Sequence, residues 1–197
     1  PDGITFSCIL KACGDIRDLQ KGELIHDDIA NRGLLGKDIV LGTALVDMYA
    51  KCGALKKAQL VLEGLSVRNP VTWCALISGY AQQGQFHEAL DCFQRMQVEG
   101  ITPNEITFTC ILKACGNTGA IDKGKQIHED IVNRGLLKNS IVLGTALVDM
   151  YAKCGVLAKA QEVLEDLPSR DIVSWSALIA GYVQEGRGHD ALNCFGQ

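Results

Sequence analysis

The sequence contains no apolar run that approaches the roughly 20 residues a membrane-spanning helix needs. Its amino terminus, PDGITFSCIL, lacks the basic start of a signal or transit peptide, so we expect any targeting segment to lie outside this chain. With 197 residues and 47% hydrophobic side chains, the chain can form a packed core. The net charge of −4 argues against binding polyanions by bulk attraction, although it is compatible with a locally basic groove. We expect no membrane partner.

The motifs of metal sites are also missing. There is no HExxH motif, no CxxC pair and no Cys/His ligand pattern, so we expect neither a bound metal nor another cofactor. The nine cysteines are odd in number, and most of them recur 102 residues later, as do the histidines. The repeating cysteines are Cys8, Cys13, Cys52 and Cys92, with copies at Cys110, Cys115, Cys154 and Cys194. This pattern favours reduced structural cysteines in a reducing compartment, and structural histidines.

The sequence does contain a repeat. The segment IVLGTALVDMYAKCG occupies residues 39–53 and returns unchanged at residues 141–155. Two related segments, GITFSCILKACG from Gly3 and PVTWCALISGYAQQG from Pro70, share its Val or Ile at the second position and its apolar seventh residue. This spacing places one apolar stripe on a helix. A polar break and a second amphipathic stretch such as GELIHDDIANRG follow, so the unit is a helical hairpin.

The unit lengths are mixed. Starts at residues 3, 39, 70 and 105 give units of 36, 31 and 35 residues, and six units follow, the sixth incomplete. A single hairpin cannot bury both its faces, so neighbouring hairpins must stack into an all-α solenoid. No sustained alternation predicts a strand. We expect small residues at close helix contacts and large residues in the core: Ala44, Gly79, Ala89 and Gly124, and Tyr49, Leu62, Trp73, Phe93 and Trp175.

With these lengths, and with the motifs LVDMYAKCG, TFTCILKACG and VTWCALISGYAQQG, the chain resembles pentatricopeptide repeat proteins of the PLS subclass, found in plant organellar RNA-editing factors. Tetratricopeptide repeats keep a 34-residue period and fit less well. The resemblance implies a single array over residues 1–197. Its parts are the end of a preceding P motif (1–2), L motifs (3–38 and 105–140), S motifs (39–69 and 141–171), a P motif (70–104) and a truncated P motif (172–197).

The resemblance implies a right-handed superhelical α-solenoid that binds single-stranded RNA at about one base per repeat, with the first helix of each hairpin lining the concave surface. The RNA would run 5′ to 3′ along the chain. The expected place of action is a mitochondrion or chloroplast, and the expected role is the targeting array of a C-to-U editing factor.

Three sets of residues follow from the resemblance. Residues at the second position would clamp the faces of each base: Ile4, Val40, Val71, Ile106, Val142 and Val173. The fifth and last residues of each repeat would read its edge: Ser7 with Asp38, Thr43 with Asn69, Cys74 with Asn104, Thr109 with Ser140, Thr145 with Asp171, and Ser176 alone. Four lysines would contact phosphates: Lys11, Lys51, Lys113 and Lys153. Burial in the core remains open for the first set, and simple solvation for the lysines.

A carboxylate only accepts hydrogen bonds, whereas an amide both donates and accepts. By similarity to the family, Thr43 with Asn69 predicts adenine and Thr145 with Asp171 predicts guanine. The L motifs are poor readers in this subclass, and Cys74 departs from the usual hydroxyl or amide, so no bases are assigned there.

The sequence leaves two other functions to consider, an enzyme and a protein-binding solenoid. A DYW cytidine deaminase needs an HxE motif followed by PCxxC, and neither is present, so we assign no catalytic residue; a deaminase in cis or in trans would be a partner. The alternative is a protein-interaction solenoid that binds accessory editing factors, with Ile25, Ile29, Ile127 and Ile131 as candidate contacts, although core packing suits these residues equally. We expect a fragment of a longer array, whose uncapped ends would favour self-association.

Overall fold

The computed structural model describes residues 2–35, 38–138 and 140–195, and this part of the chain is helical without strands. Pro1 and Gln197, the expected ends of the array, lie outside the described residues. The helices are α1 (Gly3–Ile16), α2 (Leu19–Asn31), α3 (Ile39–Lys51), α4 (Leu55–Gly64), α5 (Pro70–Gln82), α6 (Phe86–Val98), α7 (Glu105–Thr118), α8 (Ile121–Asn133), α9 (Ile141–Lys153), α10 (Leu157–Asp166), α11 (Ile172–Gln184) and α12 (Gly188–Phe195), with a short 3-10 turn over Leu136–Lys138. The predicted all-α class is confirmed.

The chain divides into two compact units, Pro1–Thr107 and Phe108–Gln197, which we describe separately. In the first unit, α3 packs between α1 and α5, while α2, α4 and α6 each pack against the first helix of their own hairpin. In the second unit, α9 packs against α11. The second helix α10 packs against α9, and α12 packs against α11. Each unit is therefore a stack of helical hairpins, the arrangement of an α-solenoid.

Large apolar side chains fill the space between stacked hairpins. Tyr49, Leu62, Trp73 and Phe93 are at most 2% exposed, so the predicted core positions are confirmed for these four residues. Trp175 is only half-buried. Its counterpart Trp73 is covered by the Arg95 guanidinium, 5.6 Å above the ring, whereas the residue equivalent to Arg95 is Gln197 and lies outside the described part.

Small residues allow the stacked helices to approach each other. A Cβ atom on Gly79 in α5 would lie 2.9 Å from the Cβ of Ala50 in α3 and 2.9 Å from Leu55 Cδ2. Gly181 in α11 stands in the same relation to Ala152 and Leu157. Such distances are shorter than ordinary carbon contacts, so glycine sets the spacing between adjacent first helices.

Two histidines are held against core tyrosines. His26 Nδ1 lies 2.8 Å from the Tyr49 hydroxyl, and His128 Nδ1 lies 2.9 Å from the Tyr151 hydroxyl. Burial lowers the pKa of both histidines and raises the pKa of both tyrosines to about 12, so all four groups stay neutral at pH 7. This agrees with the structural role predicted for His26 and His128.

All nine cysteines lie in the described part of the chain and are free thiols. Burial raises the pKa of Cys92 and of Cys115 to about 12, which disfavours the reactive thiolate.

Among residues 2–35, 38–138 and 140–195, no helix is long and apolar enough to cross a membrane, and no group of His, Cys, Asp or Glu side chains is placed to hold a metal ion.

Replacing Gly79 by Ala is expected to destabilise the chain by about 1–3 kcal/mol, because the added methyl group meets Ala50 and Leu55. Gly64, at the end of α4, is the matched control, since a Cβ there meets nothing within 4 Å. Gly64→Ala should be neutral or slightly stabilising. Chemical denaturation of the two variants measures both effects, and equal free energies of unfolding would contradict the close-contact argument.

Candidate functional site

The six second-position residues lie on exposed surface at the start of each first helix. Their side chains are between 57% and 76% exposed, so they are not part of the core. They are Ile4, Val40, Val71, Ile106, Val142 and Val173. β-Branched side chains are stiff at χ1, and each therefore presents a firm apolar face to solvent.

In the second unit, Val142 and Val173 border a groove of about 500 Å³. The groove brings together residues from three of the predicted sets, which the sequence separates by up to 64 positions. They are Thr109, Lys113, Val142, Thr145, Asp171 and Val173. Two apolar walls, a hydroxyl, a carboxylate and a lysine thus line one open cleft, which is a suitable setting for a flat ligand with a polar edge.

The last residue of each hairpin repeat also caps the first helix of the next hairpin. In the first unit, Asp38 Oδ1 accepts from the Val40 amide at 2.8 Å and Asn69 Oδ1 accepts from the Thr72 amide at 2.8 Å. Asn104 Oδ1 accepts from the Thr107 amide at 2.9 Å. Such caps satisfy a backbone donor that the helix itself leaves free.

The second unit repeats this arrangement. Asp171 Oδ1 accepts from the Ser174 amide at 2.8 Å, and Ser140 Oγ accepts from the Leu143 amide at 3.1 Å. Hydrogen bonding to Ser174 lowers the pKa of Asp171, so its carboxylate is ionised at neutral pH. Ser140 is buried, and the structure does not place it among the lining residues of this groove.

Capping decides which atom of the reader side chain remains for a ligand. A backbone N–H only donates, so it must meet the oxygen of Asn69, and the amide nitrogen Nδ2 is then the group left over. In Asp171 the same bond occupies Oδ1 and leaves the second carboxylate oxygen. Asn69 therefore offers a donor where Asp171 offers an acceptor.

Most fifth-position hydroxyls donate to their own helix. Ser7, Thr43 and Ser176 donate to the carbonyl four residues earlier at 2.9, 2.7 and 2.6 Å. Their remaining capacity toward a ligand is as acceptors. Cys74 is buried, with its Sγ 3.8 Å from Ser78 Oγ, so it presents no comparable oxygen. Thr109 lines the groove and is half-buried.

The identical helices α3 and α9 differ at this position. Thr43 Oγ1 lies 2.7 Å from the Ile39 carbonyl and 2.9 Å from Thr72 Oγ1. Thr145 Oγ1 is buried and has no hydrogen-bond partner within the described residues. An unpaired buried hydroxyl costs about 1–3 kcal/mol. One of the residues that line the groove of the second unit therefore has an unsatisfied, buried hydroxyl.

The four lysines fall into two pairs. Lys51 Nζ lies 2.8 Å from Asp15 and 3.0 Å from Asp47, and Lys153 Nζ lies 2.6 Å from Asp149. Lys11 and Lys113 are exposed, and neither forms an ion pair within 4 Å in the described part of the chain. Their ammonium groups are thus less compensated than those of Lys51 and Lys153.

The isoleucines considered for protein docking are mostly internal. Ile29, Ile127 and Ile131 are at most 3% exposed, and Ile25 is half-buried. These side chains therefore contribute to packing between helices, the second of the two roles that the sequence left open.

Sequence reasoning missed the hydroxyl residues at the third position of several first helices. Thr5 and Thr107 donate through Oγ1 to the capping side chains of Asp2 and Asn104 at 2.7 and 2.8 Å. Thr72 makes the same bond to Asn69 at 2.8 Å. The available signal was a hydroxyl residue three positions after an Asp or Asn that precedes a helix, a spacing typical of capping interactions.

Stacked helical hairpins with a polar cap at each junction define a helical-repeat protein. The PPR repeat family matches residues 68–117, and the PPR repeat matches residues 106–136, 145–172 and 173–197, together more than half of the chain. The chain belongs to the pentatricopeptide repeat family.

Curated relatives from Arabidopsis thaliana carry the same family name. The chain is 39% identical over 193 residues to a chloroplastic pentatricopeptide repeat-containing protein, which covers 98% of the chain and 31% of that relative. A mitochondrial relative is 37% identical over 191 residues, covering 97% of the chain and 18% of the relative. The chain thus spans less than a third of either protein.

Solved structures share the fold. The crystal structure of the pentatricopeptide repeat protein PPR10 from maize matches with a TM-score of 0.77 and 18% identity, over 100% of this chain and 28% of that one. PPR10 in complex with an 18-nt psaJ RNA element matches with a TM-score of 0.74.

Thr145→Val is expected to stabilise the free chain, because an isosteric methyl group replaces a buried hydroxyl that has no partner. Thr43→Val, the matched change in the identical helix, should instead destabilise by about 0.5–1.5 kcal/mol, since Thr43 is hydrogen-bonded. Urea unfolding compares the two variants. Free-energy changes of the same sign would show that the two hydroxyls share one environment.

Proposed function

We propose that this chain binds single-stranded RNA by sequence, at about one base per repeat. The observation that carries the proposal is the groove in the second unit, where Val142, Val173, Thr145 and Asp171 line one cleft with Lys113. An unpaired RNA base offers two flat faces and a polar edge beside a phosphate. The cleft supplies a group for each of these features.

The side-chain atoms that capping leaves unbonded on Asn69 and Asp171 suit different bases. Asp171 offers a carboxylate oxygen, which complements the N1–H and N2–H donors of guanine. Asn69 offers the Nδ2 donor and Thr43 an oxygen acceptor, which complement the N1 acceptor and the N6 amine of adenine. We therefore propose adenine opposite residues 39–69 and guanine opposite residues 141–171.

The clamp is aliphatic in all six hairpins. Aromatic stacking contributes about 1–3 kcal/mol per base, and valine or isoleucine packing provides less, so affinity accumulates slowly along the array. Recognition then depends on several repeats acting together, and a chain with six hairpins is expected to bind weakly.

The finer assignment is also a proposal. Hairpins of 36, 31 and 35 residues, with second helices of 13, 10 and 13 residues, support the L, S and P motifs of the PLS subclass. With relatives named chloroplastic and mitochondrial, we propose an organellar C-to-U editing factor as the parent, targeted by this array. The deaminase would be supplied in cis or in trans.

A protein-binding scaffold is the second candidate. Exposed aliphatic residues on the second helices favour it, namely Leu24, Leu60, Val98 and Val132, each more than half exposed. In this function the chain would bind accessory editing factors without RNA affinity of its own.

Asp171→Asn is expected to move the preference at one RNA position from guanine toward adenine. The substituted amide can keep the cap through its oxygen, while the free atom changes from acceptor to donor. Competition binding with RNAs that differ only at this position measures the shift.

Asp166→Asn is the control for the change in charge, because Asp166 lies at the end of α10 and outside the groove. It should leave base preference unchanged. A guanine preference that survives in the Asp171 variant would overturn the proposed pairing. Absence of RNA binding by the unaltered chain, with stable capture of an accessory factor, would favour the scaffold function instead.

Lys113→Gln is expected to weaken RNA binding and to reduce the slope of log affinity against log salt by about 0.7. Lys153→Gln should have a smaller effect, because Asp149 already neutralises this lysine at 2.6 Å. Titrations at several salt concentrations give both slopes. Equal slopes for the two variants would mean that the ion pair opens when RNA binds.

A further inference from the structure

We propose that Thr72 is a positioning residue for base reading: its hydroxyl joins Thr43 to Asn69 and fixes both for an adenine edge. This inference rests on the proposed RNA binding. It adds a third residue to the pair that the family resemblance assigns to this base, and Thr72 is completely buried, so it does not itself contact RNA.

The geometry is a continuous chain of polar atoms. Thr72 Oγ1 lies 2.8 Å from Asn69 Oδ1 and 2.9 Å from Thr43 Oγ1, and the Thr72 amide lies 2.8 Å from the same Asn69 oxygen. Two bonds therefore hold one atom of Asn69. Rotation of the amide group would face its NH₂ toward the Thr72 backbone N–H, which can only donate, and this disfavours the flipped state.

The chain also orients Thr43. Three oxygen contacts, Thr43 to the Ile39 carbonyl, Thr43 to Thr72, and Thr72 to Asn69, share two hydroxyl protons. Two protons can fill only two of the three contacts at any moment. In every such arrangement the Thr43 hydroxyl donates its proton either to the Ile39 carbonyl or to Thr72 Oγ1. The free side of Thr43 is then an acceptor, next to the Asn69 donor.

The second unit provides the contrast. Ser174 occupies the position of Thr72, but its hydroxyl donates to the main-chain oxygen of Asp171 at 2.9 Å. The Asp171 carboxylate accepts from the Ser174 amide at 2.8 Å, and Thr145 Oγ1 has no partner in the described residues. Serine lacks the methyl group that restricts χ1 of threonine. One residue thus separates a linked reader pair from an unlinked one.

The remaining junctions are incomplete. Thr107 donates to Asn104 at 2.8 Å, but the fifth-position residue there is Cys74, which is bonded elsewhere. Leu41 follows Asp38 at the third position and carries no hydroxyl. In the described residues, the complete three-residue link occurs at Asn69 alone.

Thr72→Val tests the link, because valine keeps the buried shape and removes the hydroxyl. Preference for adenine over guanine, opposite residues 39–69, should fall about fivefold, the value of one neutral hydrogen bond. The preference opposite residues 141–171 serves as the internal control and should not change. The measurement is competition among four RNAs that differ only at the tested position.

Ser174→Thr is the reciprocal variant. A threonine there is expected to donate to the Asp171 carboxylate and to give Thr145 a partner, so the guanine preference should rise about fivefold while thermal stability also rises. Side-chain amide NMR adds a readout without RNA: the Asn69 Nδ2 protons should shift and broaden in Thr72→Val but not in Ser174→Thr. If the valine variant does not fold, Thr72→Ser replaces it and should direct its hydroxyl to the main chain.

The outcomes separate two failures. No base preference in the unaltered chain would overturn the proposed function, and this inference with it. A preference that persists in Thr72→Val would leave RNA reading intact and overturn the positioning role. An equal loss of affinity for all four bases, with a lower melting temperature, would show that Thr72 only supports the fold.

Discussion

The structure depends on the hydrogen bond between a short polar side chain and a free backbone amide in the first turn of the first helix of each hairpin. Asp38, Asn69, Ser140 and Asp171 all make it, and each fixes the place where a first helix begins. The helix start in turn sets which residues reach the second, third and fifth positions. The exposed valines, the fifth-position hydroxyls and the caps therefore keep a common register, because one bond defines the origin of all three.

Close packing transmits this register from one hairpin to the next. Gly79 against Ala50, and Gly181 against Ala152, leave no space for a sliding contact, so neighbouring first helices meet at a defined height. Within that frame, α3 and α9 have one sequence and two hydrogen-bonding states. The neighbouring helix presents Thr72 in one case, which contacts Thr43, and Ser174 in the other, which donates to the Asp171 main chain.

Periodicity was sufficient to predict the helical class and the core positions of Trp73 and Phe93, because apolar stripes report burial directly. The resemblance supplied the reader positions, which remain predictions. Neither source indicated that Lys51 is paired with Asp15, 36 residues away, or that Ser140 and Cys74 are buried. These features depend on rotamers and on contacts between hairpins, which the pattern along one helix does not contain. The pattern also did not distinguish half-buried Trp175 from buried Trp73, because both occupy the same position of the apolar stripe.

The capping arrangement has a consequence for how such arrays diversify. Asn69 belongs by sequence to one hairpin, yet it is the N-cap of the first helix of the next hairpin. Recombination that exchanges whole hairpins at this border would transfer a reader residue and leave the following helix with a foreign cap. A crossover within a hairpin, near Gly53 between α3 and α4, would instead carry cap, third residue and clamp together as one unit of inheritance.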